Sequence, residues 1–202
     1  MASLPVIYRN VMLLVSAVLL GFLLSNIVFR QEDPTPSLQV DMSLAAKVLP
    51  EFQLKDIYGE QRSISEWSGQ YLLINFWATW CAPCIREMPL LQTLHQQRKR
   101  HQLQVIGIAI DRTPDVQSFV AEAGVNYPIL VGQEDAMAVS DLFGQDIPGL
   151  PFSVLSDAHG NILTIHVGEI DAGELRDMVA ITDALQNGEI DLVESRRRFE
   201  RL

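Results

Sequence analysis

From Val11 to Phe29 the chain carries no charged residue and shows no polar face. The run is close to the ~20 residues that cross a bilayer as a helix. Arg9 and the amino terminus precede it, and Arg30, Glu32 and Asp33 follow, which favours residues 1–10 inside and the rest outside. A cleaved signal peptide is the rival, but its apolar region spans ~7–15 residues and ends in a small-x-small site. This run ends Ile27–Val28–Phe29–Arg30, so residues 11–29 are expected to remain as an anchor. Residues 30–48, with Pro34 and Pro36 among scattered polar positions, are expected to be a tether.

The pattern then changes period. Phe52 and Leu54 alternate with polar residues, and Gly59 marks a turn, which predicts a small β-hairpin. Tyr71 to Trp77 (YLLINFW) and Leu103 to Ile110 (LQVIGIAI) are short apolar runs of the kind that form buried strands. Between them Ile85, Met88, Leu91 and Leu94 recur at spacings of three, predicting one apolar helix face and a helix to about Arg100. Thr113 as N-cap with Pro114 after it predicts a helix to about Ala123. A short strand is expected at Tyr127 to Val131 and a helix at Glu134 to Phe143. Phe152 to Ser156 and Ile162 to His166 read as strands joined by the Asp157–Asn161 turn. Asp171 and Glu174 resemble a capping box that opens a helix to about Gln186. Strands alternating with helices and closing on a hairpin predict an α/β fold with a mixed central sheet, over residues 49–187. Residues 188–202 read as a polar C-terminal extension, and Arg196–Arg197–Arg198 as part of a solvated tail.

Composition narrows the function. About 150 residues outside the anchor and tether suffice for one well-cored domain. The formal net charge is −10, which disfavours nucleic acid, since phosphate binding needs clustered Lys and Arg. The sequence holds only 2 cysteines, Cys81 and Cys84. They fall where a buried strand gives way to a helix, whose first turn offers unpaired N–H groups and partial positive charge. A thiol placed there has its thiolate favoured. Cys81, the N-terminal and more exposed member, reads as the nucleophile. Cys84, one turn on, is placed to resolve a mixed disulfide, and Pro83 is tolerated within the first turn. A purely structural disulfide would close too short a loop to restrain the unfolded chain. A zinc site wants about four ligands, and no second cysteine pair is present. A lone peroxidatic cysteine does not require this spacing.

The segment FWATWCAPC (Phe76 to Cys84), with Arg86–Glu87–Met88–Pro89 after it and FQLKDIYGEQRSISEWSGQYLLINFW before it, resembles the TlpA/ResA/DsbE-like branch of the thioredoxin superfamily. IPGLPFSVLSDAHGNI resembles that branch's cis-proline segment. The resemblance implies a thioredoxin-like fold with an N-terminal hairpin and a helix–strand insert at Thr113 to Gln145. It implies a membrane-anchored thiol–disulfide oxidoreductase on the periplasmic side of the bacterial cytoplasmic membrane, with no cofactor. Its partners would be disulfide-containing exported proteins, apocytochrome c among them, and a thiol-type electron donor in the membrane. Cys81 and Cys84 would be the redox-active pair. Pro151 would be the cis-proline, leaving the Leu150 backbone free to pair with substrate. Trp80 would cover the active-site face, and Pro83 resembles the reducing members. Glu87 matches a glutamate of the ResA-like group, while Asn75 stands where many thioredoxins carry a buried Asp and cannot itself take a proton. Two rivals remain: a copper chaperone of the Sco type, expected to use CxxxC, and a peroxiredoxin, expected to carry PxxxTxxC, which is absent.

Overall fold

The computed structural model describes residues 48–202 apart from 145, 146 and 148. The expected anchor at 11–29 and nearly all of the tether at 30–48 lie outside the described residues. Val48, the tether's last residue, bridges to Asn161. Among the described residues no helix is long and apolar enough to cross a membrane.

Seven strands form one sheet: β1 (Gln53–Asp56), β2 (Gln61–Ser63), β3 (Tyr71–Trp77), β4 (Leu103–Ile110), β5 (Ile129–Gly132), β6 (Phe152–Ser156) and β7 (Ile162–Val167). Their order is β2-β1-β5-β4-β3-β6-β7. β3, β4 and β5 are mutually parallel, and β1 and β6 join them antiparallel. The fold is thus the expected mixed sheet flanked by helices. The hairpin β1–β2 forms one edge, and β5 of the insert lies between it and β4.

The central strands are buried on both faces, so their apolar residues sort by parity. Leu73 and Trp77 of β3, with Leu103, Val105 and Ala109 of β4, join one core layer. Leu72, Ile74, Phe76, Ile106 and Ile108 join the other. The first layer is covered by α1 (Ala82–Gln96), α3 (Thr113–Ala123), α5 (Ala172–Gln186) and α6 (Leu192–Phe199). The second is covered by α4 (Glu134–Asp141) and an aromatic group in which Phe76 stacks on Phe152 at 4.2 Å. Gly107 faces the first layer. A Cβ there would lie 2.6 Å from Ile129 Cδ1 and 3.0 Å from Trp77 Nε1, so any side chain would force these neighbours to shift.

Several boundaries differ from expectation, each for a local reason. The long helix stops at Gln96, and α2 (Arg98–His101) follows it, before Gln102 turns the chain into β4 at a positive φ of 48°. Ile85 is exposed, and the buried face of α1 is Cys84, Glu87, Met88, Leu91, Leu94 and His95. Positions at strict threes fall about 60° behind the helix with each step, so Ile85 and Leu94 end on opposite sides. Arg112, not Thr113, is the N-cap of α3, and its side chain makes no capping bond. β5 begins at Ile129, after Pro128, although Tyr127 is buried. The capping box at Asp171 forms with both reciprocal bonds.

Residues 188–202 are not a solvated tail. Asp191 caps α6, accepting from the Glu194 N–H, and Phe199 and Ser195 are buried against the core. Arg196 Nε donates to the Ile162 carbonyl of β7 at 3.0 Å, while Arg197 and Arg198 pair with Glu194. The polar composition hid the apolar contacts of this segment, Ile190 and Leu192 at its start and the buried Phe199 at the end of the helix. Phe199→Ala is therefore expected to destabilise the protein by about 3 kcal/mol. Urea melts of the two proteins check this, and coincident midpoints would mean that α6 adds nothing to the core.

Candidate active site

β3 ends at Trp77, and a turn over Ala78 to Cys81 leads into α1, with the Cys81 N–H donating to the Ala78 carbonyl at 3.2 Å. Cys81 takes an extended backbone at the N-cap, where its sulfur accepts from the Cys84 N–H at 3.3 Å. Pro83 falls in the first turn, where its missing N–H costs no helical bond. Cys81 and Cys84 are joined by a disulfide with their Cα atoms 5.3 Å apart. Cys84 is fully buried, Cys81 keeps a small exposure of 5 %, and Trp80 beside it is 70 % exposed. The sulfur nearer solvent is therefore Cys81, next to a large aromatic surface.

Sheet register brings the distant part of the site to the same end. Phe76 pairs with Phe152, so Pro151 stands beside the end of β3 from which the cysteine turn departs. The Leu150–Pro151 peptide is cis. Pro151 is buried, and its carbonyl accepts from the Gly168 N–H at 2.9 Å. Leu150 is half-buried and packs against the core layer that contains both cysteines.

Glu87 lies one turn beyond Cys84 and is buried, with 1 % exposure. The Asn75 amide donates to its Oε1 and the Ile170 N–H to its Oε2, each at 2.8 Å. The same amide nitrogen donates to Ser153 Oγ at 3.0 Å, across the β3–β6 pairing. Burial pushes the Glu87 carboxyl up to about 7, against the two hydrogen bonds that favour its ionised form, and the charge of Glu169 adds to the rise. Asn75 thus occupies the usual acid's position as a donor that holds the acid on the facing helix. Sequence reasoning did not find this role, nor those of Ser153 and the Ile170 N–H. The available signal was parity: Asn75 is the polar residue between Leu73 and Trp77, on the face that α1 covers. On the surface Arg86 pairs with Glu169, the neighbour of Ile170, through Nε at 3.0 Å and through Nη2. This ion pair and the Ile170 bond tie the β7–α5 turn to the first turns of α1.

The arrangement can break and remake a disulfide at a sulfur poised on a helix N-terminus, with an acid near neutrality one turn deeper. Glu87 gives that acid a testable signature. Its native value lies above the ordinary 4.5, so the native state holds the proton more tightly than the unfolded chain. The stability from this group is complete below about 4.5 and is lost as pH rises through about 7, by about 3 kcal/mol in all. Glu87→Gln should flatten this part of the profile, and urea melts of the oxidised protein between pH 4.5 and 8 measure it. Parallel profiles for the two proteins would show that Glu87 titrates normally.

Comparison with known proteins gives the geometry a family. Residues 45–166 match the AhpC/TSA family. The chain is 35 % identical over 118 residues to the thiol-disulfide oxidoreductase ResA of Halalkalibacterium halodurans, a match covering 58 % of this chain and 65 % of that one, just under two thirds of the relative's length. It is 32 % identical over 130 residues to the thioredoxin-like protein YneN of Bacillus subtilis, covering 62 % and 73 %. Among solved structures, a candidate thiol:disulfide interchange protein DsbE from Chlorobium tepidum superposes with a TM-score of 0.60 at 25 % identity, covering 68 % of this chain and 96 % of that one. With a thioredoxin-like sheet, a cysteine pair opening α1 and a proline-led β6 at the same sheet end, the chain belongs to the AhpC/TSA family, in the thioredoxin superfamily and similar there to its ResA- and DsbE-type members.

Proposed function

We propose that the protein is a thiol–disulfide oxidoreductase that reduces disulfides of exported proteins. The observation that carries this reading is the Cys81–Cys84 disulfide at the start of α1, with Cys81 at the cap beside the exposed Trp80. In the reduced enzyme the Cys81 thiolate attacks a substrate disulfide, forming a mixed disulfide and releasing one substrate thiolate. The Cys84 thiolate then attacks Cys81 Sγ and releases the second. Two electrons pass to the substrate, and the pair ends as the disulfide. A thiol-type donor must reduce it again before the next cycle. Glu87, one turn from Cys84 and poised near neutrality, takes the Cys84 proton before resolution. Trp80 and the Leu150 backbone supply contacts to the substrate chain.

The uncharged run at 11–29 supports a single-pass anchor in the bacterial cytoplasmic membrane, with residues 49–202 on the periplasmic side. Apocytochrome c is a fitting substrate there, and the electron donor would lie in the same membrane.

The order of attack predicts an asymmetry between the cysteines. Cys84→Ser should accumulate covalent complexes with target proteins, because nothing resolves the mixed disulfide, and Cys81→Ser should not. A non-reducing gel after acid quenching reads this, and equal trapping by both variants would remove Cys81 as the attacking thiol. For the location, the full chain should pellet with membranes and be digested by protease added to spheroplasts. Recovery of soluble protein with an N-terminus after Phe29 would contradict the anchor.

A further inference from the structure

The turn that presents Cys81 is held by a carboxylate outside the redox pair. β3 and β4 run parallel with Trp77 opposite Ala109, so Thr79 and Asp111, each two residues on, leave the sheet side by side. Asp111 Oδ2 accepts from the Thr79 N–H at 3.0 Å and from the Thr79 hydroxyl at 2.6 Å. Its Oδ1 accepts from the Arg112 N–H at 2.8 Å, and its own N–H donates to the Gly132 carbonyl at 2.9 Å. Asp111 therefore ties the end of β3, through its side chain, and the end of β5, through its backbone, to the end of β4. Burial opposes ionisation of Asp111, but the bonds from Thr79 and Arg112 outweigh it and hold its carboxyl below the ordinary aspartate range. The clamp is thus charge-assisted at neutral pH, and such bonds are about twice as strong as neutral ones. The Arg112 guanidinium is engaged by Asp115, which leaves the carboxylate to the turn.

We propose that Asp111 is a positioning residue for the nucleophile: by gripping Thr79 at both its N–H and its hydroxyl, it keeps Cys81 at the N-cap of α1 when the disulfide is open. The disulfide itself fixes Cys81 in the oxidised protein. In the reduced protein that restraint is gone, and only Trp80 separates Cys81 from the gripped Thr79. Held there, the sulfur stays on the Cys84 N–H and the helix N-terminus that favour its thiolate. Released, the turn carries Trp80 and Cys81 away together. The proposal rests on Cys81 being the attacking thiol.

The test is the alkylation rate of Cys81 by iodoacetamide in the reduced full-length chain, with the labelled cysteine assigned by mass spectrometry. The reagent needs no disulfide substrate, so failure of the wild-type protein to reduce any disulfide would be a separate result, against the oxidoreductase reading alone. Thr79→Val keeps the Asp111 charge and the side-chain shape while removing the hydroxyl donor. It should slow alkylation of Cys81 by about tenfold, as a misplaced reacting group does. Thr79→Ser, which restores the donor, should return the rate to near wild type, and Asp111→Asn should be slowed as well. If Thr79→Val does not fold, Thr79→Ala takes its place. A wild-type rate in Thr79→Val overturns the proposal. So does an effect confined to Asp111→Asn, which would make Asp111 a charge and not a clamp. Equal slowing of Thr79→Val and Thr79→Ser would overturn it too, since the effect would then not follow the hydroxyl donor.

Discussion

A carboxyl group inside a protein core costs several kcal/mol if it is ionised and left without partners. In this domain the arrangement around the cysteines lowers that cost for Glu87. The two donors come from places far apart in the chain, Asn75 on the central strand and the Ile170 N–H on the turn between β7 and α5. Asn75 is itself fixed by Ser153 of β6. Helix α1, two strands and a turn must therefore all be in register before the acid can be buried. The Arg86–Glu169 pair above it is largely exposed and worth little on its own. Its effect is to hold the turn that carries the Ile170 donor.

That constraint divides the molecule into two unlike halves. The sheet face under α4 is built mainly of aromatic and aliphatic side chains, with Phe76 against Phe152 and Phe143. The face under α1 and α5 holds both cysteines and the acid. It also holds Tyr127, whose phenol burial and the Glu87 charge raise well above the usual tyrosine value. The desolvation that raises Glu87 makes its charge matter more to its neighbours, because the medium screens it less. An acid one turn below Cys84 can then stay protonated near neutrality and still give up that proton within the working range. The nearer sulfur needs no such help, since the helix terminus and the Cys84 N–H already favour a thiolate there.

Much of the fold was legible before the structure. β3, β4 and β6 run over the residues their apolar patterns mark, because a strand buried on both faces leaves an uninterrupted signature. The capping box at Asp171 is just as local, and it forms as written. Ile85 was misread because recurrence at strict threes does not follow a helix with 3.6 residues per turn. The C-terminal segment was misread as solvated because Leu192 and Phe199 outweigh a charged surface only when a core lies beneath them. Sheet register and packing supplied what the pattern lacked.

The sequence by itself determined the chemistry at the start of α1. Two thiols three residues apart, at the point where a buried strand becomes a helix, make a redox pair by covalent spacing and by the unpaired N–H groups of the first turn. Those causes act within a few residues and can be read without a fold. The tertiary structure alone decided that Glu87 is buried, that Asn75 donates to it from the facing strand, and that Pro151 stands beside the cysteine turn. Each depends on segments far apart in the chain meeting in one register. Whether a carboxyl meets solvent or two N–H donors is set by that meeting, and with it whether the acid titrates near 4.5 or near 7.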